Sequence, residues 1–578
     1  MAISKYFKAL LIFAAVSIIS ACSDKDIDAN NGKEDHKEVK GVLFTVDSPK
    51  ASAKLGFVAD EEDNILGART RTTIKHTVGN GADAYWESTD KIWVKDKNGN
   101  WRQSIATNVA AGGVRAIFTL PGTMSDYADN CPVSLVSSGI KSNVLHDYTN
   151  DTGIYTEPVS GAEPQLLTGI SGTQNQTSVN QFSDAGKWGD CGIGKAKMST
   201  SGFTFTIEHK ASYLCLLPRC ESAALGQNIK LTNITIQSDK MIASDFLLFH
   251  ENGELKNPAS GDFSALQYKT IKAAVNDFPL TNTGTNSETN ACYFIVYPGT
   301  HNLTINYTIK DYSTNVETTL TREVNNVVCN AGEIADITAN LMPYLGFYYI
   351  WDAKRDYWDG IESEMPTIDS DGVGTTTSAN YPKASNPSDP RWSEQTHLKP
   401  QTKLFKKLPN LNEMMWYTLY GDPLWAYNQS VVIARKGHLE AITSDGVWFK
   451  KKKVMLAYLK TIGYPASLTE EDLAQFFQKT PSDPRQNLTE TGLENGYFSW
   501  NTNPYEPNPK EDYFFLPTSG ECIDGSLGNY SYPCHQFCLY WTSTSTGSNK
   551  AYRMVCADGH IEIRTESRTH GSYACPFE

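Results

Sequence analysis

Apolar side chains alternate with polar ones along several short runs of this chain, and this period of two restricts its fold more than any other feature. In residues 303–309, Leu, Ile and Tyr alternate with Thr and Asn, so that one face of the run is apolar. That alternation is typical of a half-buried β-strand, and residues 203–207 repeat it. Continuous apolar runs at 213–217 and 293–296 indicate more deeply buried strands.

The whole of residues 41–345 has this β texture. Thr, Ser, Asn and Gly are common between the apolar runs, and no amphipathic helix of normal length stands out. Strands with one apolar face must cover it with another layer, so the sequence predicts a two-sheet β-sandwich region in two lobes. The apolar phase slips between Leu231 and Ile234, which indicates a β-bulge.

The sequence of the last third of the chain, residues 405–578, indicates an α+β domain, called the head below. Apolar residues have helical spacing over 411–419 and over 454–462. Gly421 is positioned as the left-handed residue that ends the first helix, and Gly463 closes the second.

Ser467 and Glu470 have the spacing of a capping box, which predicts a third helix from there through Phe477. Before the head, residues 346–404 form a junction that contains too many Trp and Tyr for a free linker, so we expect it to pack on the head. Within the junction, residues 369–372 resemble the start of a calcium loop but lack its late Glu. A tight turn is therefore predicted there.

The first residues form an export signal. Two lysines precede an uncharged apolar stretch at 10–19, which is shorter than the roughly 20 residues that span a bilayer. Ala21 and Cys22 follow, and the pattern resembles the lipobox of bacterial lipoproteins. The resemblance implies cleavage of residues 1–21 between Ala21 and Cys22, acylation of Cys22, and a polar tether over 22–40. The alternative is an ordinary secretory signal in which Cys22 is incidental.

Composition excludes some functions. The 578-residue chain has a net charge of −14 and a pI near 5.4, so nucleic acid is not an expected partner. Besides Cys22 there are eleven cysteines, an odd number, in a chain whose export permits disulfides. The head has five of them, and we expect at least one disulfide among Cys522, Cys534, Cys538, Cys556 and Cys575. The spacing of Cys534, His535 and Cys538 would also suit a zinc site. Export of the chain favours a disulfide over zinc there.

Short motifs in residues 41–345 resemble, in the same order, fimbrillin-like domains of Bacteroidota. They are 69–73 (RTRTT), 86–94 (WESTDKIWV), 205–211 (FTIEHKA), 229–236 (IKLTNITI), 297–299 (YPG) and 330–337 (NAGEIADI). This resemblance implies maturation by cleavage after an Arg, for which Arg69 and Arg71 are the candidates. Cleavage would remove a plug strand from 41–46 or 55–58, and a strand of another fimbrial subunit would fill the groove by donor-strand exchange. The alternative is that both arginines only solvate a loop.

The head resembles a second group of proteins. Residues 408–417 (LPNLNEMMWY), 421–423 (GDP) and 446–452 (GVWFKKK) are similar to Bacteroides fimbrial tip proteins. Residues 513–517 (YFFLP), 540–544 (YWTST) and 551–552 (AY) resemble a C-type-lectin-like module of the Fibrobacter major-paralogous kind. That module implies a structural role for Trp541 in a core strand. Residues 571–576 depart from its usual ending, which puts the last strand in doubt.

Residues 506–508, Glu-Pro-Asn, match the tripeptide with which animal C-type lectins bind calcium and sugar hydroxyls. The second calcium-binding motif of those lectins is missing, so we interpret 501–512 as a Pro- and Asn-rich loop. The alternative interpretation is a ligand-binding site that contains Glu506 and Asn508. The chain also lacks serine-hydrolase, zinc-protease and P-loop motifs. We therefore predict no catalytic residue, no cofactor and no metal ligand.

Together these features predict a mainly β, non-enzymatic fimbrial tip adhesin whose lectin-like head binds a host, bacterial or glycan ligand. The precursor would be an outer-membrane lipoprotein at the cell surface. One alternative is a lipid-retained surface glycan-binding lipoprotein that never polymerises. The other is an enzyme, because sulfatase-modifying oxidases use a related fold.

Overall fold

The protein is described here by a computed structural model. It describes residues 40–46, 73–77, 81–111, 113–137, 149–150, 154–155, 165–249, 252–256, 267–280, 287–393, 397–477, 498–499, 507–547, 549–558 and 560–577. The fold is mainly β, as predicted. In these residues no helix is long and apolar enough to cross a bilayer.

The strands of the β region fall into two groups along the chain. Those up to residue 209 are β1 (Val42–Val46), β2 (Thr73–Thr77), β3 (Gly81–Tyr85), β4 (Trp93–Lys95), β5 (Trp101–Gln103), β6 (Ala106–Val109), β7 (Ala116–Leu120), β8 (Cys131–Leu135), β9 (Thr149–Asn150), β10 (Ile154–Tyr155), β11 (Gln165–Ile170), β12 (Gly192–Met198), β13 (Phe203–Phe205) and β14 (Glu208–His209). Those that follow are β15 (Ser212–Arg219), β16 (Ile229–Ser238), β17 (Ala243–Phe249), β18 (Leu255–Lys256), β19 (Gln267–Tyr268), β20 (Thr270–Pro279), β21 (Cys292–Val296), β22 (Gly299–Asp311), β23 (Val316–Cys329) and β24 (Ile334–Asn340).

The junction and head supply the remaining strands and the longer helices. The strands are β25 (Tyr348–Tyr349), β26 (Leu424–Arg435), β27 (His438–Lys450), β28 (Phe498–Ser499), β29 (Tyr513–Pro517), β30 (Cys522–Ile523), β31 (Ser526–Leu527), β32 (Cys538–Ser545), β33 (Lys550–Ala557), β34 (His560–Ser567) and β35 (Ser572–Tyr573). The helices of the described chain are α1 (Ala185–Trp188), α2 (Ala223–Asn228), α3 (Ser287–Asn290), α4 (Lys403–Lys407), α5 (Leu411–Tyr420), α6 (Lys452–Thr461) and α7 (Glu470–Gln475).

The first lobe is built on a nine-stranded sheet in the order β5-β4-β8-β12-β13-β1-β7-β6, with β14 beside β12. Its alternating strands bury one face in a core of their own. That core contains Phe44, Trp86, Phe118 and Phe203, all of them nearly inaccessible to solvent. The burial alternation predicted over 203–207 is therefore confirmed, although strand β13 ends at Phe205.

The second lobe packs two sheets against one core. Strand β15 lies between β21 and β24, and the other sheet has the order β20-β16-β22-β23. Leu214 and Phe294 of the first sheet share the core with Ile236 and Ile305 of the second, which is the predicted sandwich. The predicted bulge is confirmed too, because the register of β16 against both of its neighbours shifts between Leu231 and Asn233.

The head contains a six-stranded sheet, β25-β35-β32-β33-β34-β28, and a three-stranded sheet, β26-β27-β29. The junction packs on the head as predicted, because β25 pairs with β35 and Trp358 lies in the head core. Residues 369–372 form the predicted turn, in which the Asp369 carboxylate accepts hydrogen bonds from the backbone N–H groups of Asp371 and Val373. The domain boundaries at 345 and 405 stay predictions.

Two predicted helix ends are wrong in detail. Helix α5 ends at Tyr420, but the left-handed residue beyond it is Asp422, with φ of 48°, while Gly421 has φ of −73°. Gly421 is required for space, since a Cβ atom there would lie 2.4 Å from the Tyr417 carbonyl oxygen. The capping box of α7 uses Thr469 and Asp472, not Ser467 and Glu470, because the Thr469 side chain accepts from the Asp472 N–H.

The predicted head disulfide is also wrong in this structure. Cys522, Cys534, Cys538, Cys556 and Cys575 are all free and buried, as are the six cysteines of the β region. Cys538 and Cys556 are direct neighbours on β32 and β33, but the Cys538 thiol donates a hydrogen bond to the Leu516 carbonyl at 3.4 Å. Burial raises the thiol pKa of Cys538 and Cys556, so both act as small apolar core residues.

Candidate functional site

Strand β1 lies inside the first-lobe sheet and not at its edge. It pairs in parallel with β13, with Phe44 opposite Phe203, and antiparallel with β7, with Phe44 opposite Phe118. Without β1, the facing edges of β7 and β13 would bound an open groove with unpaired backbone N–H and C=O groups. The place that β1 occupies between β7 and β13 is called the slot below.

The side chains of β1 explain its seating in this slot. Val42, Phe44 and Val46 point inward and are buried, whereas Leu43 is 43% exposed. The Phe44 ring stacks on Phe203 with 4.6 Å between the ring centroids and meets the edge of Tyr127 at 5.3 Å. The slot therefore holds a strand with apolar residues at every second position.

A glycine also shapes the slot. Gly202 has φ of +154°, and a Cβ atom built on it would lie 2.3 Å from the Leu43 carbonyl oxygen. The β1 backbone can approach the start of β13 this closely because residue 202 has no side chain.

Only some of the predicted site residues lie within the described part of the chain. Ala21, Cys22, Arg69, Arg71 and Glu506 lie outside the described residues. The same holds for 55–58, the second candidate plug segment. Residues 41–46, the first candidate, contain the slot strand β1.

Asn508 is exposed, and Pro507 beside it is buried. Two residues further on, the Lys510 ammonium lies 4.9 Å from the centre of the Trp448 ring. The tripeptide that includes Asn508 therefore leads directly to an aromatic surface of the head.

This cluster, here called the aromatic face, consists of the buried Trp448 on β27, the buried Tyr513 and the partly buried Phe515 on β29, and the lysines Lys450 and Lys510 above the rings of Tyr513 and Trp448. Trp448 and Phe515 are register partners, and their ring centroids are 5.0 Å apart. Trp448 and Tyr513 are buried, so Phe515 and the two lysines are the parts of this face that solvent reaches. Sequence reasoning noted the two runs that form this face, 446–452 and 513–517, but not their pairing, because β27 and β29 meet only in the folded chain.

A buried ionic network on the other sheet of the head was also missed. The Arg553 guanidinium is inaccessible to solvent and donates to Glu521 at 2.7 Å and to Glu566 at 3.1 Å. Burial raises the pKa of Glu521, but a hydrogen bond from His570 and the charge of Arg553 outweigh it and lower the pKa to about 2. Each charge is paired, so this network is structural.

No known protein-family profile matches the chain, and no curated protein matches its sequence. Among solved structures, a candidate cell adhesion protein of Bacteroides ovatus is 15% identical over 47% of this chain and 91% of its own, with a TM-score of 0.27. A fimbrial protein of Bacteroides ovatus is 10% identical over 92% and 98%, with a TM-score of 0.21. The fimbrial anchor protein Mfa2 of Porphyromonas gingivalis is 9% identical over 49% and 82%, with a TM-score of 0.19.

Proposed function

We propose that this chain is a non-enzymatic fimbrial tip subunit of the bacterial surface, which accepts a strand of the next subunit and presents the head outward. The observation that supports this most is the central position of β1 in the first-lobe sheet. Loss of an edge strand would leave a sheet complete, whereas loss of β1 opens a slot bounded by two strands. A donor strand with alternating apolar residues would refill that slot through main-chain pairing.

Release of β1 requires a cut between it and β2. Arg69 and Arg71 lie in this interval, after β1 ends at Val46 and before β2 begins at Thr73. Cleavage at either arginine would leave the rest of the described sheet covalently intact. This arrangement is what the proposed maturation needs.

The proposed tip position is supported by the packing of the head. The segment after β34 is held inside the head, because β35 pairs with β25 and Phe577 packs on Tyr417 and Phe514 with ring centroids 5.2 and 5.3 Å away. These residues are therefore not free to donate a strand. We assign ligand binding to the accessible part of the aromatic face, Phe515 and the two lysines, with a glycan or a protein as ligand.

The test replaces Arg69 and Arg71 together by Ala in the fimbriated host. We expect the double variant to keep its N-terminal segment, by N-terminal sequencing, and to be absent from sheared fimbriae. Lys50→Ala with Lys54→Ala is the matched control, since it removes the same charge from the same interval and should mature normally. Assembly of the uncleaved arginine variant at fibre tips would refute the slot, and immunogold labelling along the shaft would refute the tip position.

A lipid-retained surface glycan-binding lipoprotein is the second candidate, and the aromatic face is the observation that favours it. The two functions differ in the fate of Cys22. If the mature surface protein keeps residues 22–68 and carries acyl chains detectable by palmitate labelling, the second candidate replaces the first.

A further inference from the structure

Three donor atoms of different kinds meet in the core of the second lobe. They belong to His76 on β2, Cys215 on β15 and Asp336 on β24, and all three residues are buried. Imidazole nitrogen, thiol sulfur and carboxylate oxygen all lie within 4.8 Å of one another. The His76 Nε2 atom is 2.7 Å from Asp336 Oδ1.

The sheet places two of these residues side by side. In the parallel pair β15–β24, Cys215 is the register partner of Asp336, and on its other side Cys215 faces Tyr293 of β21. Register partners project from the same face of a sheet. The β2–β3 hairpin supplies the third residue, with the His76 ring edge-on to Tyr293 at 6.0 Å between centroids.

We propose that His76, Cys215 and Asp336 bind a divalent transition-metal ion, zinc by the chemistry of the ligands. Zinc takes nitrogen, sulfur and oxygen donors from His, Cys and Asp. A thiolate and a carboxylate together carry two negative charges, so a dication with a neutral imidazole makes the site electrically neutral. Neutrality matters here because an unbalanced charge in a core is costly. Three protein ligands leave one position of a tetrahedral zinc site open.

Two other polar clusters among the described residues lack the ligand set of this site. Glu521, Glu566 and His570 also approach one another closely, but Arg553 and Arg564 already neutralise the carboxylates, and an added cation would be repelled. In the buried pair of Asp190 and His209, the carboxylate accepts from the Tyr213 hydroxyl at 2.5 Å, and no third ligand of the metal-binding types joins them.

The proposed site has a consequence for the chain's architecture. His76 belongs to the hairpin β2–β3, whose strands pair only with each other in the described part of the chain. The metal would join this hairpin to β15 and β24. If maturation occurs at Arg69 or Arg71, as proposed above, the metal would anchor the new N-terminal segment to the second lobe.

The experiment uses the full chain purified from its host envelope without chelators. We expect about one zinc per chain by plasma mass spectrometry. After chelation and reconstitution with Co²⁺, we expect a thiolate-to-cobalt charge-transfer band in the near ultraviolet. Cys215→Ser should abolish the band and most of the zinc, and Asp336→Asn should weaken retention. Cys292→Ser, a buried thiol one strand away, and His209→Ala should keep both signals.

The metal content of the wild-type protein tests the proposed site even if a variant misfolds. Absence of stoichiometric metal in the wild type, together with no cobalt band on reconstitution, overturns the proposal. Zinc content unchanged in a folded Cys215→Ser variant overturns the ligand assignment. Chelation should also make the hairpin at 73–85 more sensitive to limited proteolysis. A failure here would leave the proposed strand slot untouched, because that slot is tested by the arginine variant.

Discussion

Several charged side chains of this protein are buried, and each of them lies beside a hydrogen-bonding or oppositely charged partner. Asp352, buried at the start of the junction, accepts hydrogen bonds from the backbone N–H groups of Gln401 and Thr402, and its Oδ2 lies 2.6 Å from His397 Nε2. Such a residue ties distant segments together through one carboxylate. Removing one partner from a buried network is costly because the other charge stays behind without compensation.

Glu521 is where this principle predicts a pH effect. Its pKa is lowered to about 2 from an ordinary value of 4.5. A lowered pKa in the folded state means that the stabilisation is present above about pH 4.5 and is lost as the pH falls toward 2. The difference corresponds to about 3 kcal/mol of unfolding free energy.

We therefore expect Glu521→Gln to destabilise the head at pH 7 by about 3 kcal/mol or more, since Arg553 is left buried without its closest carboxylate. Its unfolding free energy should also depend less on pH between about 5 and 2 than that of the wild type. Denaturant unfolding at several pH values measures both effects. The exposed Glu511→Gln is the control, and equal pH profiles for the wild type and Glu521→Gln would contradict the prediction.

At the scale of elements, the assembly proposal depends on strand β1. Phe44 is the side chain that packs this strand into the first-lobe core. We expect Phe44→Ala to lower the unfolding free energy of the uncleaved protein by about 3–5 kcal/mol, because a fully buried aromatic side chain leaves a cavity between Phe203 and Tyr127. Leu43→Ala, on the exposed side of the same strand, should cost far less. Chemical denaturation of both variants measures the difference, and similar losses would show that β1 is not seated as described.

At the scale of the whole molecule, the junction packs on the head and also on the second lobe, since Tyr349 and Trp351 share a buried cluster with the second-lobe core. The Trp541 Nε1 donates to the Tyr349 carbonyl at 2.8 Å, and the Trp351 Nε1 donates to the Thr542 carbonyl at 3.0 Å. A fragment cut at the predicted boundary of 405 loses both hydrogen bonds and strand β25.

We accordingly expect the full chain to unfold cooperatively on heating and a fragment of 405–578 to lack a cooperative transition. The fragment exposes Trp541, which is inaccessible in the complete chain. Calorimetry and binding of a hydrophobic dye compare the two. A cooperative, dye-free 405–578 fragment would show that the head folds without the junction.

Local patterns by themselves determined much of this fold. Alternation of apolar residues in 303–309, the continuous run at 213–217 and the phase slip after Leu231 each correspond to the strand or bulge that they predict. These features are local because side-chain direction along a strand depends only on the period of two. The turn at 369–372 is local for the same reason, since the Asp369 side chain bonds to its own next residues.

Tertiary structure alone decided the rest. Whether β1 would lie at an edge or at the centre depends on its pairing with β13, more than 150 residues away, and no local pattern encodes that distance. The capping residue of α7 was set by which side chain could reach the Asp472 N–H. His76 and Asp336 are 260 positions apart and meet only because β2 packs on the sheet that contains β24. Contacts between distant segments depend on packing, and packing is a property of the assembled core.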